Sequence, residues 1–190
     1  MKVQELIGML LSPPRLQRAR FGFEQIQVPS NNVAQAGTCL YGQGGVAVVT
    51  RSDVGLTQYY SPLASRSRYA DGSIEDGPPT GFEGTFPFTL FLPQHAPILG
   101  RTGDDWIIDR VDAASDTQVR ATLHHLDADD YAATIDVALP WGIITTFDAP
   151  HQYARLIDLE IDQLSEADDQ ELHRAAALEP IDRATPVPGW

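Results

Sequence analysis

The segment QVRATLHHLDADDYAATIDVALPWGIITTF, residues 118–147, contains three apolar runs separated by two turn sequences. Between Tyr131 and Leu139 apolar and polar residues alternate, which is typical of a strand with one buried face. The turn sequences DADD at 127–130 and PWG at 140–142 separate this run from apolar runs on either side. Turn signals at this spacing predict antiparallel strands joined by short connections.

The same pattern extends outward from this stretch and is bounded by a helix at each end. An apolar period of helical spacing ends at Ser12-Pro13-Pro14 and predicts a short helix over 2–11. Ser165 with Asp168 three residues on forms a capping-box sequence and predicts a second helix over 166–178. Further strands are predicted at 46–50, 56–60, 85–92, 106–112 and 153–163, the last of which also fits a helix. We therefore predict an α+β fold: a mainly antiparallel, curled β-sheet, a meander of about six to eight strands, with a short N-terminal helix and a C-terminal helix.

Three segments lack any clear period. Residues 29–45 are rich in Gly, Asn and Ala and are predicted to form a loop. Residues 61–84 hold several Pro and Gly residues and are predicted to form a long loop, a feature that is usually functional or disordered in compact domains. We expect residues 1–180 to form a single domain and residues 181–190 to be a flexible tail.

The composition is that of a globular protein. The chain has 190 residues, 43% apolar and 21% charged, and one cysteine, so a disulfide framework within the chain is excluded. The N-terminal apolar run lacks the cleavage pattern of a secretory signal, and no run approaches the length of a membrane span. We expect a cytoplasmic protein that does not associate with membranes.

The charge is strongly negative and uneven. The net charge is −13, with seven basic and three acidic residues in 1–68 and six basic and twenty-three acidic residues in 69–190. The first part therefore carries +4 and the second −17. Such a chain repels phosphate backbones, which argues against nucleic-acid binding.

The acidic half suggests the first functional hypothesis. If residues 153–163 form a strand, three carboxylates share one of its faces, a fourth joins them from a neighbouring strand, and three more lie at the start of the C-terminal helix. These candidate partner-binding residues are Asp136, Asp158, Glu160, Asp162, Glu166, Asp168 and Asp169. A solvated face would explain such a row equally simply. The functional interpretation is a module that captures a basic protein partner, as an immunity-like or chaperone-like neutraliser would.

Two other hypotheses remain open. A curled sheet can enclose a pocket, which the segment 61–84 could cover, so the protein could bind or transform a small molecule. His125, Trp106 and Tyr131 are the pocket candidates, because His125 is predicted to face the interior whereas His124 faces away. The third hypothesis is a subunit of a larger viral or secretion assembly. Homo-oligomer formation is also left open.

No catalytic or cofactor motif is recognisable. Gly42, Gly44 and Gly45 precede an apolar strand rather than a helix, which does not suit a phosphate-binding loop. The Asp-rich turn at 127–130 lacks the Gly and Glu that a calcium-binding loop requires, and Cys39 lies in the predicted 29–45 loop without an identifiable partner. We therefore predict no cofactor and no metal. Catalytic residues, and whether the protein is an enzyme, are left undetermined.

Overall fold

The computed structural model describes residues 1–12, 16–28, 30–139 and 141–180. The predicted flexible tail, 181–190, lies outside the described residues. The helices are α1 (Val3–Leu10), α2 (Phe88–Phe91) and α3 (Glu166–Ala176), with a 3-10 turn at Pro93–His95. The strands are β1 (Arg18–Gln27), β2 (Asn32–Gly42), β3 (Val46–Arg51), β4 (Leu56–Tyr60), β5 (Ser65–Tyr69), β6 (Ile74–Gly77), β7 (Trp106–Ala114), β8 (Gln118–His125), β9 (Ala128–Ala138), β10 (Ile143–Ala149) and β11 (Gln152–Ile161).

All these strands belong to one antiparallel sheet with the order β6-β5-β4-β3-β2-β1-β11-β10-β9-β8-β7. The chain starts in the middle at β1, runs outward strand by strand to one edge at β6, and crosses to the other edge at β7. It then returns inward to β11, which pairs with β1. The sheet is open, because β6 and β7 are its two edges. The antiparallel α+β class and the two terminal helices are confirmed, but the predicted six to eight strands are wrong, since the sheet has 11.

One face of the sheet, which we call the core face, carries the main apolar cluster. Phe21, Phe23 and Ile135 are fully or almost fully buried on it. Helices α1 and α2 and the 3-10 turn cover this face, and Phe91 of α2 stacks on Phe21 with ring centroids 4.8 Å apart. The segment that crosses from β6 to β7 therefore supplies much of the core.

The opposite face, the outer face, is covered over part of its width. Helix α3 packs there on β2, β3 and β4, and Leu172 and Ala175 meet Leu40, Val48 and Tyr59 in a second apolar cluster. The predicted capping box is present, because the Ser165 hydroxyl accepts a hydrogen bond from the Asp168 N–H. The strands from β7 to β10 instead present ion pairs on this face, including the one between Arg120 and Asp136.

Two of the predicted loops are strands. Residues 32–42, inside the predicted 29–45 loop, form the long strand β2. Within the predicted 61–84 loop, β5 and β6 form a hairpin around Gly72, whose φ of 85° suits the turn. The sequence does not predict these strands because their Gly, Ala, Ser and Arg residues give no apolar alternation. The strands are held instead by pairing with their neighbours and by ion pairs such as Arg66–Asp76.

One predicted strand is a helix. The run at 85–92 alternates Phe and Leu with other residues, yet Phe88–Phe91 form α2. This segment lies on top of the core face, so Phe88, Leu90 and Phe91 are all buried and no face of it has to be polar. Pro87 also lacks the N–H that a sheet ladder would need.

The predicted strand 153–163 is confirmed as β11, but its faces differ from the prediction. Ala154 and Leu156 are buried on the core face, and beyond a shift in register Leu159 and Ile161 pack against the same core. Asp158 lies at this irregularity, with a φ of 49°. The predicted acidic row on β11 is therefore interrupted, since a bulge exchanges the two faces of a strand.

Candidate functional site

A pocket lies between the core face near the β6 edge and the chain that follows β6. Its cavity is about 250 Å³. Strands β4 and β5 form one side and residues 80–85 the other. The lining residues are Gln58, Tyr60, Ser65, Arg66, Ser67, Thr80, Gly81, Phe82 and Thr85.

The register of β4 and β5 explains which side chains meet in the pocket. Gln58 pairs with Ser67 and Tyr60 pairs with Ser65. Side chains of directly paired residues point to the same face of a sheet, and so do residues two apart on one strand. These four side chains therefore form a patch on the core face. The residue between them on β4, Tyr59, points to the outer face, where its hydroxyl donates to Glu171 at 3.0 Å.

Phe82 anchors the covering segment to the core. Its ring lies 5.2 Å from that of Tyr60 and 4.4 Å from that of Phe88, between ring centroids. The Thr85 hydroxyl donates to the Phe82 carbonyl at 2.7 Å, and the Ser65 hydroxyl donates to the Pro78 carbonyl at 2.9 Å. These contacts hold the covering segment at a fixed distance from the sheet and so keep the cavity open.

Several polar groups in the pocket remain free for a ligand. The side chains of Gln58, Tyr60 and Thr80 make no hydrogen bond to any other residue that the structure describes. Burial, with a smaller contribution from nearby Cys39, raises the pKa of Tyr60. The phenol therefore stays protonated at neutral pH and can donate a hydrogen bond.

Among the described lining residues, none presents a free cation to the cavity. Arg66 pairs with Tyr59, so its side chain points to the outer face, where it donates two hydrogen bonds to Asp76 at 2.5 and 2.9 Å. The hydrogen bond from Arg66 lowers the pKa of Asp76, which keeps the pair ionised. Two further carboxylates lie at the margin: Glu75 pairs across the strands with Ser67, and Glu83 lies beside Gly81.

The predicted pocket residues lie elsewhere, but the structure brings them together. The Trp106 ring centroid is 5.0 Å from that of His125 and 5.4 Å from that of Tyr131. Phe147 and His151 join this cluster, which lies on the β7–β9 side of the sheet. None of the three predicted residues lines the pocket between β4 and residues 80–85.

His124 and His125 point to different sides, as the strand alternation predicts. His124 is exposed, whereas His125 is half-buried against Trp106. The backbone N–H of Asp127 donates to Nδ1 of His125 at 3.2 Å. In this contact Nδ1 is the acceptor, and the imidazole closes the turn between β8 and β9.

Arginines pair with many of the predicted acidic partner-binding residues. Arg120 donates to both carboxylate oxygens of Asp136 at 2.7 Å, and Arg18 lies 2.5 Å from Asp169. Arg20 lies 3.6 Å from Glu160 and 3.9 Å from Asp168.

The remaining three acidic residues differ in their surroundings. Asp162 accepts a hydrogen bond from the backbone N–H of Arg18 at 3.0 Å. Asp158 and Glu166 are exposed and form no ion pair with a described residue. The basic N-terminal third and the acidic half are therefore interleaved along β1, β11 and α3, which lowers the net charge that this surface presents.

Cys39 is not available for chemistry. It lies in β2 rather than in a loop, and it is fully buried in the main core. Burial raises the pKa of its thiol well above the ordinary value. A protonated, inaccessible thiol is a poor nucleophile, so Cys39 is a core residue.

The described part of the chain offers neither a metal centre nor a membrane-spanning helix. Within the described ranges, no group of three or more His, Cys, Asp or Glu side chains is placed to hold a metal ion. No described helix is both long and apolar enough to cross a membrane.

Sequence reasoning did not find the pocket residues, because none of them belongs to a recognisable motif. One sequence feature indicates a pocket: the segment 61–84 is long enough to cover one. Residues 80–82 do lie over the pocket. The Gln58-x-Tyr60 and Ser65-x-Ser67 spacings place polar groups on one strand face, but only the pairing of β4 with β5 shows that these faces coincide.

Comparison with known proteins does not assign a family. No family model and no curated protein matches the chain. Among solved structures, a LolA superfamily protein from Nitrosomonas europaea is 8% identical with a TM-score of 0.36, covering 88% of this chain and 96% of that one. A DUF1329 family protein from Desulfovibrio piger is 9% identical with a TM-score of 0.36, covering 87% of this chain and 95% of that one. Likenesses of this size leave the function to be argued from the pocket itself.

Proposed function

We propose that this protein binds a small molecule reversibly in the pocket between β4, β5 and residues 80–85. The observation that supports this most is the set of unpartnered polar side chains, Gln58, Tyr60 and Thr80, around a cavity of about 250 Å³. Gln58 and Tyr60 are half-buried and Thr80 is exposed at the rim, so their polar groups are accessible and converge on the cavity, as the polar groups of a binding pocket do. The volume lies just below the 300–1,000 Å³ that is typical of ligand pockets.

The lining suits binding better than catalysis. Among the described lining residues, Tyr60 is the one titratable side chain on the pocket face, and it stays protonated; Arg66 points to the outer face and is paired with Asp76. The Ser65 hydroxyl already donates to the Pro78 carbonyl, and no base among the lining residues can activate it. The groups present can hold and orient a ligand through hydrogen bonds.

The test is a screen of small uncharged fragments by chemical-shift changes in the ¹⁵N-labelled protein. Fragments that bind are expected to shift the amides of residues 58–67 and 80–85. Ser67→Leu places an apolar side chain in the cavity and should abolish these shifts. Thr57→Leu, on the outer face of β4, is the matched control and should leave them intact. An absence of fragment binding, or equal binding to both variants, would contradict the proposal.

The capture of a basic protein by the acidic surface stays a second prediction. Asp158 and Glu166 are exposed and could contribute to it, but Arg18, Arg20 and Arg120 already neutralise other members of the set. We therefore favour small-molecule binding over the capture of a basic protein as the function. If it operates, binding of a basic protein should weaken steeply between low and physiological salt. Participation in a larger assembly likewise stays a prediction, to be tested by measuring the mass in solution.

A further inference from the structure

We infer that the ligand of this pocket is an uncharged, hydroxyl-rich ring compound of about the size of a monosaccharide. This inference rests on the proposed small-molecule binding and specifies the chemistry of that same site. It follows from four properties of the lining: its volume, its hydrogen-bonding groups, its apolar floor and its charge.

The volume limits the ligand to a small, compact molecule. A cavity of about 250 Å³ corresponds to roughly eight water molecules, since one water occupies about 30 Å³ in the liquid. This space admits a single six-membered ring with its substituents.

The hydrogen-bonding groups are bifunctional. The Gln58 amide, the Tyr60 phenol and the Thr80 hydroxyl can each donate and accept, as a ligand hydroxyl can. Neighbouring polar groups on a pleated surface are about 5–7 Å apart, so Gln58 and Tyr60 would contact different substituents of a ring. A polyol can pair with all of these groups, whereas a molecule with one polar group would leave the others without a ligand partner.

An apolar floor completes the pocket. Phe82 is 4% exposed and is fixed against Tyr60 and Phe88. With so little of its ring exposed, Phe82 supplies an apolar floor rather than a face for stacking. The C–H groups of a small ring can contact this floor while its hydroxyls meet the strand residues.

The electrostatics disfavour an anion. Among the described lining residues the one cation, Arg66, points to the outer face and is held there by Asp76, and the carboxylates of Glu75 and Glu83 lie at the pocket margin. A phosphate or carboxylate would therefore meet repulsion without a free positive charge to offset it. This separates the site from phosphate-binding and acid-binding pockets.

The experiment is ligand-observed saturation-transfer NMR with four sets of probes at millimolar concentration. The first set consists of the methyl glycosides of glucose, galactose and mannose. The second is D-glucuronate, the third D-glucosamine, and the fourth cyclohexanol. At least one methyl glycoside should bind, and glucuronate should bind at least ten-fold more weakly than that glycoside. Tyr60→Phe and Thr80→Val should each weaken glycoside binding at least five-fold, whereas Thr57→Val, on the opposite face of β4, should not change it.

The outcomes separate the two proposals. If cyclohexanol binds and Ser67→Leu abolishes that binding while no glycoside binds, the pocket takes small molecules but the polyol class is wrong. Stronger binding of glucuronate or glucosamine than of any neutral glycoside also overturns the class. If no probe of any set binds, both the ligand class and the proposed function fail. Glycoside binding that is unchanged in Tyr60→Phe and Thr80→Val places the ligand elsewhere and overturns the inference.

Discussion

At the scale of single residues, Asp53 shows how one carboxylate joins two strands. It lies in the turn after β3, where Arg51 donates to it through Nε at 3.0 Å and the N–H of Ala36 in β2 donates at 3.2 Å. The hydrogen bond from Arg51, with that from Ala36, lowers the pKa of Asp53 from 3.8 to about 2. Since the ionised form is the one stabilised, its contribution is complete above about pH 4 and is lost as the pH falls through about 2.

We therefore expect Asp53→Asn to lower the free energy of unfolding by about 1 kcal/mol at pH 7, a value reduced by solvent screening at this exposed turn. The difference from the parent protein should shrink towards zero near pH 2. Urea denaturation at several pH values measures it, with Asp116→Asn, at an exposed turn, as the control without effect. A difference of the same size at pH 7 and pH 2 would show that the carboxylate is not the stabilising group.

At the scale of elements, strand β2 depends on a glycine that the sequence does not mark as special. A Cβ on Gly37 would lie 1.9 Å from the backbone carbonyl oxygen of Thr50 in β3 and 3.0 Å from the Phe23 ring. Gly37 therefore lets β2 and β3 approach each other over the core. The same glycine lowers the strand propensity of residues 32–42. The residue that β2 needs for close packing is therefore one reason why the sequence does not predict this strand.

Gly37→Ala should destabilise the protein by about 1–3 kcal/mol or more, because backbone rather than a flexible side chain would have to move. Gly8→Ala is the matched control: Gly8 lies in α1 with nothing within 4 Å of an added Cβ, so alanine there should stabilise by about 0.5–1 kcal/mol. Both are measured by chemical denaturation. A Gly37→Ala protein as stable as the parent would mean that β2 and β3 are further apart than described.

How far an element could be predicted depended on whether its signals are local. Helix α3 was predictable because Ser165 and Asp168 form its cap within four residues of chain. Strand β9 was predictable because its alternation is complete in itself. Strands β5 and β6 and helix α2 were not, since their structure depends on partners distant in sequence: a neighbouring strand for β5, and the whole core face for α2. The pocket likewise depends on residues distant in sequence, because it forms where β4, β5 and residues 80–85 meet.

At the scale of the whole molecule, the crossing segment between β6 and β7 determines whether the sheet behaves as one unit. Phe91 contacts Phe21 of β1 and Tyr41 of β2, with the Tyr41 centroid 5.0 Å away, and α2 also packs on β10 and β11. The two outward-running halves of the sheet therefore share one core through α2. The sequence does not reveal this role, because residues 85–92 alternate as a strand would and the residues before them resemble a loop.

Phe91→Ala should lower the free energy of unfolding by about 3–5 kcal/mol, the usual cost of removing a buried aromatic side chain. Because both halves pack on α2, amide hydrogen exchange should become faster in β3 and in β9 by similar factors. Phe91→Leu is the milder variant to use if the alanine variant does not fold.

Leu172→Ala is the control that distinguishes a shared core from two separate ones. Leu172 belongs to α3 and lies in the second cluster, on the outer face, where α3 packs on β2, β3 and β4. Its loss should accelerate exchange in α3 first, through local opening, and should leave β9 less affected than Phe91→Ala does. If Phe91→Ala instead accelerates exchange in β3 while β9 keeps its protection, the halves open independently. In that case the pocket, which lies entirely on the β4–β5 side, would open and close without involving the aromatic cluster around Trp106.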